Sequence, residues 1–430
     1  MEDSITEAGY PLSFRRNNAR ELGKCLKDLN SVVLIGMKRV GINNFLRFFL
    51  YNKNIMGEHV NDRRKHLFIS VDLHDLVELE IFPFWTLTLK RIIDEIEHSI
   101  LNEKTKKEIE NLFLNSIQSR DIFLTMDSVR RSLVKIVESN ILPIIFFDRF
   151  DRIKDVVTPE FYGNLQGIKD ATHHKLTYVF TSFRKLDDLA PKAFTKTSLS
   201  VFIKNIYIKP ALKDDAKVIF KTFDSRYKLS LSSKEEKELL DLTGGYIQYL
   251  HLVMIFLNEK KEELKKSRIN FFEEFINDER IILQSEELWE SLSKEEQTVI
   301  FKISDGQKVS DSERSKAEYL WSTGFINEAN MIFSPLFGNY LKEKGRNFLE
   351  NLEFTKKENL LINLLKKKIN NVCEREEIAE VVWPEAQVFG VSDWAIDRLA
   401  ARVRSKLKNQ EGDYEIVTIK TRGYKLISSR

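Results

Sequence analysis

Two groups of residues in this chain have the types and spacing that chemistry needs. The first is GMKRVGIN, Gly36 to Asn43, directly after the apolar run SVVLI. Gly36 and Gly41 keep the spacing of a glycine-rich phosphate-binding loop, G-x-x-x-x-G-K-[ST]. In such a loop, backbone N–H groups and the N-terminus of the next helix cradle an anion. Lys38 and Arg39 add positive charge. Ile42 and Asn43 stand where the phosphate-binding lysine and the magnesium-binding hydroxyl would be, and they supply neither. Downstream, IIFFD ends in Asp148, where a carboxylate would hold magnesium, and the next residue is Arg149 rather than an acid. Gly36, Lys38, Arg39, Gly41, Asn43 and Asp148 are therefore the candidate nucleotide site. ATP or ADP with magnesium is the one cofactor it suggests, the two replacements argue against hydrolysis, and no catalytic residue is assigned. The second group is basic. From Arg398 to Arg430 nine Lys/Arg stand against three Asp/Glu, a net +6.

The basic group needs two elements to position it. VSDWAIDRLAARVRSKL, Val391 to Leu407, has Ile396, Leu399, Ala400, Val403 and Leu407 on one helical face. Trp394, Arg398, Ala401, Arg402 and Ser405 fall on the opposite face, and Ser392 or Asp393 is placed to cap the start. EIVTIKTRGYKLI, Glu415 to Ile427, reads as a hairpin with Arg422-Gly423 in its turn region. A helix fits the major groove of duplex DNA, and a hairpin can follow phosphates or the minor groove. Trp394, Arg398 and Arg402 are assigned to the major groove. Arg404, Lys406, Lys420, Arg422 and Lys425 are assigned to phosphates or the groove edge.

SDWAIDRLAARVRSKL followed by TIKTRGYKL resembles the DNA-binding domain of OmpR/PhoB-type regulators. The resemblance continues upstream in FTKKENLLINLLKKKINNVCEREEIAEVVWP, through Phe354-Thr355, Glu358, Leu364-Leu365, Val372, Arg375, Ile378 and Trp383. It implies a winged helix that binds double-stranded DNA, with a contact to RNA polymerase among its further expectations. The chain departs from the family at the wing, where Thr421 replaces the usual first glycine, and no receiver domain with a phospho-acceptor Asp precedes the module.

The first group also needs a scaffold. SVVLIG, HLFISVDL, ILPIIFFD, LTYVFTS and SVFIKNIYI read as five strands separated by helical stretches, which predicts a parallel α/β sheet covered on both faces. Phe84 to Gln118 is expected to be mostly helical. FRRNNAREL, VVLIGMKRVGINNFL, the strand ending Asp148 and LTGGYIQYL resemble the AAA+ and STAND-type P-loop ATPases, with Ile247 replacing the proline of their G-G-x-P lid motif. In a retired version of that fold, Asp148 and Asp151 would pair with Arg149 or Arg152. Thr181-Ser182 resembles the end of a sensor strand, and Asp72, His74 and Asp75 read either as the edge of a site or, the preferred reading, as solvated loop groups.

The predicted architecture is multidomain, α/β plus α. It comprises a P-loop NTPase-like domain (1–210), a helical lid (211–284), a winged-helix-like unit of two helices closed by a strand and helix (285–350), and the C-terminal OmpR/PhoB-type winged helix (351–430). Linkers are expected near Lys209-Pro210, Arg280 to Glu286 and Gly345 to Leu352. Composition excludes several classes. Two distant cysteines, Cys25 and Cys373, make no disulfide framework, and the adjacent His173-His174 is a poor metal site. No apolar run reaches the ~18 residues of a membrane span, and the acidic, polar start MEDSITEAGY is unlike a signal peptide, so a cytoplasmic protein is expected. The net charge of +3 is too small to imply nucleic acid by itself. Three functions compete: a DNA-binding transcriptional regulator whose AAA-like region senses a signal or mediates assembly, an ATP-driven switch or DNA-remodelling machine, and a homo-oligomerising scaffold.

Overall fold

The computed structural model describes residues 5–194, 203–261, 270–350, 354–384, 391–409, 414–420 and 422–428. Contacts divide the chain into two compact units. One holds 1–275 and 288–338, the other 276–287 and 339–430.

The first unit is built on five parallel strands: β1 (Ser31–Ile35), β2 (Lys65–Asp72), β3 (Ile141–Asp148), β4 (Thr177–Ser182) and β5 (Ile203–Tyr207). Their order is β2-β3-β4-β1-β5. Residue type follows position in the sheet. β1, β3 and β4 are interior strands and are buried at every residue, whereas the edge strand β2 alternates along its length. A strand covered on both faces is apolar along its middle, with the buried polar residues Ser31, Asp148, Thr177, Thr181 and Ser182 at the strand ends, whereas an edge tolerates alternating polar side chains. Pro143 sits inside β3 without loss to the inner ladder, because pairing with β4 begins only at Ile144. Aromatic side chains fill one face of the sheet, with Phe84, Trp85, Phe147, Phe161 and Tyr178 all nearly inaccessible.

The stretch from Phe84 to Gln118 is mostly helical, as expected, and forms two helices, Ile81–Glu97 and Glu103–Ser119, with Asn102 capping the second through the N–H of Thr105. Two expected linkers and one expected strand are corrected. The linker expected at Arg280 to Glu286 is part of the helix Glu279–Glu290, and the one expected from Gly345 is helical through Glu350. The strand expected to close the 285–350 stretch is a single bridge, Ile326 to Ile332, before the helix Pro335–Glu350.

The second unit contains the helices Lys356–Lys367, Arg375–Val382 and Asp393–Asn409, with a three-stranded antiparallel sheet of β6 (Val372–Glu374), β7 (Tyr414–Ile419) and β8 (Gly423–Ser428). The sheet order is β6-β8-β7. Ile396, Leu399, Ala400, Val403 and Leu407 close over Leu361, Ile378, Tyr424 and Leu426 in one core. The apolar face predicted for the long helix is thus its buried face. Ser392 caps that helix, accepting from the Ala395 N–H at 3.3 Å. Thr421, at the wing, lies outside the described residues.

Candidate nucleic-acid interface and phosphate loop

Glu358 organises the basic helix. It is 2% exposed and lies in Thr355-x-x-Glu358, a capping box in which the Thr355 N–H donates to Glu358 Oε2 at 2.8 Å. The same carboxylate accepts from Lys406 Nζ at 2.5 Å and stands 3.6 Å from Arg402 Nε. Burial by itself would raise its pKa, but the bonds from Lys406 and the Thr355 N–H, with Arg402 nearby, hold it below the ordinary glutamate value. Arg402 also donates from Nη1 to Glu286 Oε2 at 3.0 Å. Lys357 Nζ and Trp383 Nε1 both donate to Glu279, at 2.8 and 2.7 Å.

The other predicted interface residues sit as follows. Trp394 and Arg398 are half-buried on the helix. Arg404 donates from Nε to the Ile416 carbonyl at 2.9 Å and from Nη2 to Thr418 Oγ1 at 2.8 Å, which ties the helix to the hairpin. Arg422 pairs with Glu374 at the end of β6. Lys420 is exposed at the end of β7, and Lys425, half-buried on β8, lies opposite Val372 and Val417. The helix start is locked by two further acids, Asp393 and Asp397. Arg375 reaches Asp393 at 3.1 Å and Asp397 at 2.5 Å, and Tyr424 Oη donates to Asp397. Burial and that bond push the Tyr424 hydroxyl up to about 12. Sequence reasoning missed Glu286, Glu374 and Asp397 as partners. The Thr-x-x-Glu spacing was the one local signal that could have revealed the role of Glu358.

In the first unit the glycine-rich loop joins β1 to a helix, Ile42–Tyr51. Gly41 has φ +103, a conformation side-chain-bearing residues rarely adopt, and a Cβ there would lie 2.1 Å from Ile247 Cδ1. Tyr246 Oη donates to the Lys38 carbonyl at 2.6 Å. Gly36 and Gly41 are buried, Arg39 is exposed in the left-handed region at φ 59, and Lys38 lies 5.3 Å from the Phe183 ring. A cleft of about 470 Å³ opens at the ends of β2 and β3, lined by Asn43, Arg47, Ser70, Asp72, Asp148 and Arg149 among others.

Asp148 accepts from Thr181 Oγ1 at 2.6 Å and from the Arg149 N–H at 3.0 Å. Burial raises its pKa against those two bonds. The pairing expected of its neighbours is corrected: Arg149 Nη1 reaches both oxygens of Asp72 at 3.0 Å, and Arg152 contacts His74 Nδ1 at 2.8 Å. Asp72 is therefore an ion-pair partner rather than a solvated loop group. Asp75 likewise pairs with Arg91 at 2.6 Å.

The fold implies a magnesium nucleotide here, and the residues do not fit one held for hydrolysis. The hydroxyl ligand is replaced by Asn43 and the phosphate-binding lysine by Ile42, and the candidate magnesium carboxylate, Asp148, is bonded to Thr181 and the Arg149 N–H. Among the described residues no cluster of three His, Cys, Asp or Glu side chains could hold a metal, and no helix is long and apolar enough to cross a membrane.

Fold and site together define a P-loop NTPase-like α/β domain followed, toward the C-terminus, by a winged-helix domain. Residues 349–426 match the family described as transcriptional regulatory protein, C terminal. This C-terminal stretch is an OmpR/PhoB-type domain; the match does not extend to the rest of the chain. No curated protein matches the sequence. Among solved structures, a Walker-type ATPase of Pyrococcus abyssi is 18% identical, covering 76% of this chain and 95% of its own, with a TM-score of 0.45. The ORC2 protein of Aeropyrum pernix is 11% identical, covering 79% and 97%, with a TM-score of 0.46. The ORC1 protein of the same organism, solved in complex with DNA, is 10% identical, covering 98% and 90%, with a TM-score of 0.40.

Proposed function

We propose that this protein is a transcriptional regulator that binds duplex DNA through its C-terminal winged helix. The observation that carries the reading is the unit itself, in which a helix bearing Arg398, Arg402, Arg404 and Lys406 packs its apolar face on a three-stranded sheet ending in a basic hairpin. In this reading Trp394, Arg398 and Arg402 read base edges, and Lys420, Arg422 and Lys425 hold phosphates. Arg404 and Lys406 position the helix against the hairpin and the first helix of the module, and contribute charge.

Fluorescence anisotropy with labelled duplexes at graded salt tests this. Each phosphate contact contributes about 0.9 to the slope of log K against log salt. Lys425→Ala is expected to weaken binding on every sequence and to lower the slope by about 1, whereas Arg398→Ala relaxes sequence preference. Absence of binding to any duplex at about 50 mM salt, where phosphate contacts are strong, rules the reading out. The P-loop-like domain acts, in the same reading, as a sensing or assembly domain rather than a motor. Support comes from the lid residues Tyr246 and Ile247 seated on the phosphate loop and from the Arg149–Asp72 pair. Steady phosphate release from magnesium-ATP would contradict that part.

A further inference from the structure

The long basic helix does not present Arg402 to solvent. Its side chain is 16% exposed, and the partner carboxylate of Glu286 is 9% exposed. Glu286 does not come from the winged-helix sequence. It lies on the helix Glu279–Glu290, within the short stretch 276–287 that belongs to the same compact unit as residues 339–430. Glu279 lies seven residues earlier, two helical turns away and on the same stripe. It binds Lys357 at 2.8 Å and the Trp383 indole at 2.7 Å. One stripe of one helix thus places two carboxylates against the winged-helix module, one of them on an arginine that the reading above assigns to base edges.

A guanidinium offers a planar fork that matches guanine or phosphate as well as it matches carboxylate. It cannot satisfy Glu286 and a DNA acceptor with the same edge. We propose that the segment 276–287 is an intramolecular competitor of DNA, with Glu286 occupying Arg402 and Glu279 anchoring the segment beside it. DNA binding then requires Arg402 to exchange Glu286 for the duplex. Glu358 is not displaced, since it belongs to the module's own capping box. The inference rests on the DNA-binding reading above and adds to it the element that restrains binding.

The test uses the full chain and a mixed-sequence duplex of about 30 base pairs, with affinity measured by anisotropy across a salt series. Glu286→Gln keeps the side-chain shape and removes the charge. Loss of one charge-assisted bond from the competing state is expected to tighten binding about ten- to a hundredfold. Glu415→Gln, at an exposed position on β7 in the same unit, is the control for a general change of charge and should give less than about a twofold gain. Should Glu286→Gln lose its cooperative melt, Glu279→Gln carries the expectation instead, since it loosens the segment without leaving Arg402 unpaired. Wild-type binding with no gain in the glutamine variant, or an equal gain in the Glu415 control, overturns the competitor and leaves DNA binding standing. Failure of wild type and every variant to bind overturns both.

Discussion

Replacing Glu358 by Gln isolates the charge that holds the basic helix to the body of its module. Gln is an accepted partner in a capping box, so the start of the helix Lys356–Lys367 keeps its cap while the ionic bonds are lost. Lys406 and Arg402 are then left facing a neutral amide. Removing one partner of a buried ion pair costs about 3–5 kcal/mol. The low end applies here, because the Lys406 side chain is 32% exposed and can turn to water. For a domain of this size, about 3 kcal/mol corresponds to a fall in melting temperature of roughly 12–24 °C. Thermal melting of the full chain is the assay, with hydrogen exchange of the amides in Asp393–Asn409 assigning the transition. The pH dependence has a definite sign. A glutamate whose folded-state pKa is depressed contributes stability that is fully present above its unfolded value of about 4.3 and is lost as pH falls through the folded value. The gap between wild type and variant must therefore narrow in acid. A shift below about 3 °C at neutral pH, or a gap that widens in acid, refutes the account.

Two further outcomes concern the first unit. Lys169 is buried, donates to Ser31 Oγ at 3.0 Å and the Leu29 carbonyl at 3.2 Å, and burial pushes its pKa down to about 8. Its unfolded value is about 10.4, so between about pH 8 and 10 the unfolded chain binds more protons and stability rises with pH. Lys169→Met should flatten that rise, worth about 3 kcal/mol at most, in urea melts across the range. Gly41→Ala meets both a left-handed backbone and Ile247, and is expected to cost about 1–3 kcal/mol by thermal melting. Adding Ile247→Ala should return only the steric part.

Much of this is legible in the sequence where one face of an element decides its residues. SVVLI, ILPIIFFD and TYVFTS announce interior strands because burial on both sides leaves polar residues only at the strand ends, Ser31, Asp148, Thr177, Thr181 and Ser182. The core face of the last long helix is readable for the same reason. What escapes is pairing across long separations. ERIILQSEELWE carries enough charge and polarity to pass for a linker, yet Gln284 and Ser285 are each 1% exposed and Glu286 is 7% exposed. Helical spacing puts Arg402 off the apolar face, but spacing carries no information about the acids that cover it, one of them over a hundred residues earlier. Likewise, IIFFDRFD suggests a local Asp–Arg pair. The left-handed turn at Arg149, φ 58, instead carries the guanidinium to Asp72 on the neighbouring strand. The capping-box spacing of Thr355-x-x-Glu358 recurs in Ser293-x-x-Glu296, and there too the acid is buried and held by a distant cation, Arg184 at 2.6 Å. The capping boxes Ser232-x-x-Glu235 and Ser310-x-x-Glu313 have glutamates that are not buried, so the spacing points to a long-range ion pair only where the glutamate is also buried.

The order of Glu286 and Arg402 along the chain has a consequence for synthesis. Glu286 precedes Arg402 by 116 residues. At ~5–20 residues per second, the acid leaves the ribosome about 6–23 s ahead of the arginine it neutralises. The nascent cationic helix therefore emerges with its counter-charge already made, in surroundings crowded with ribosomal and messenger RNA.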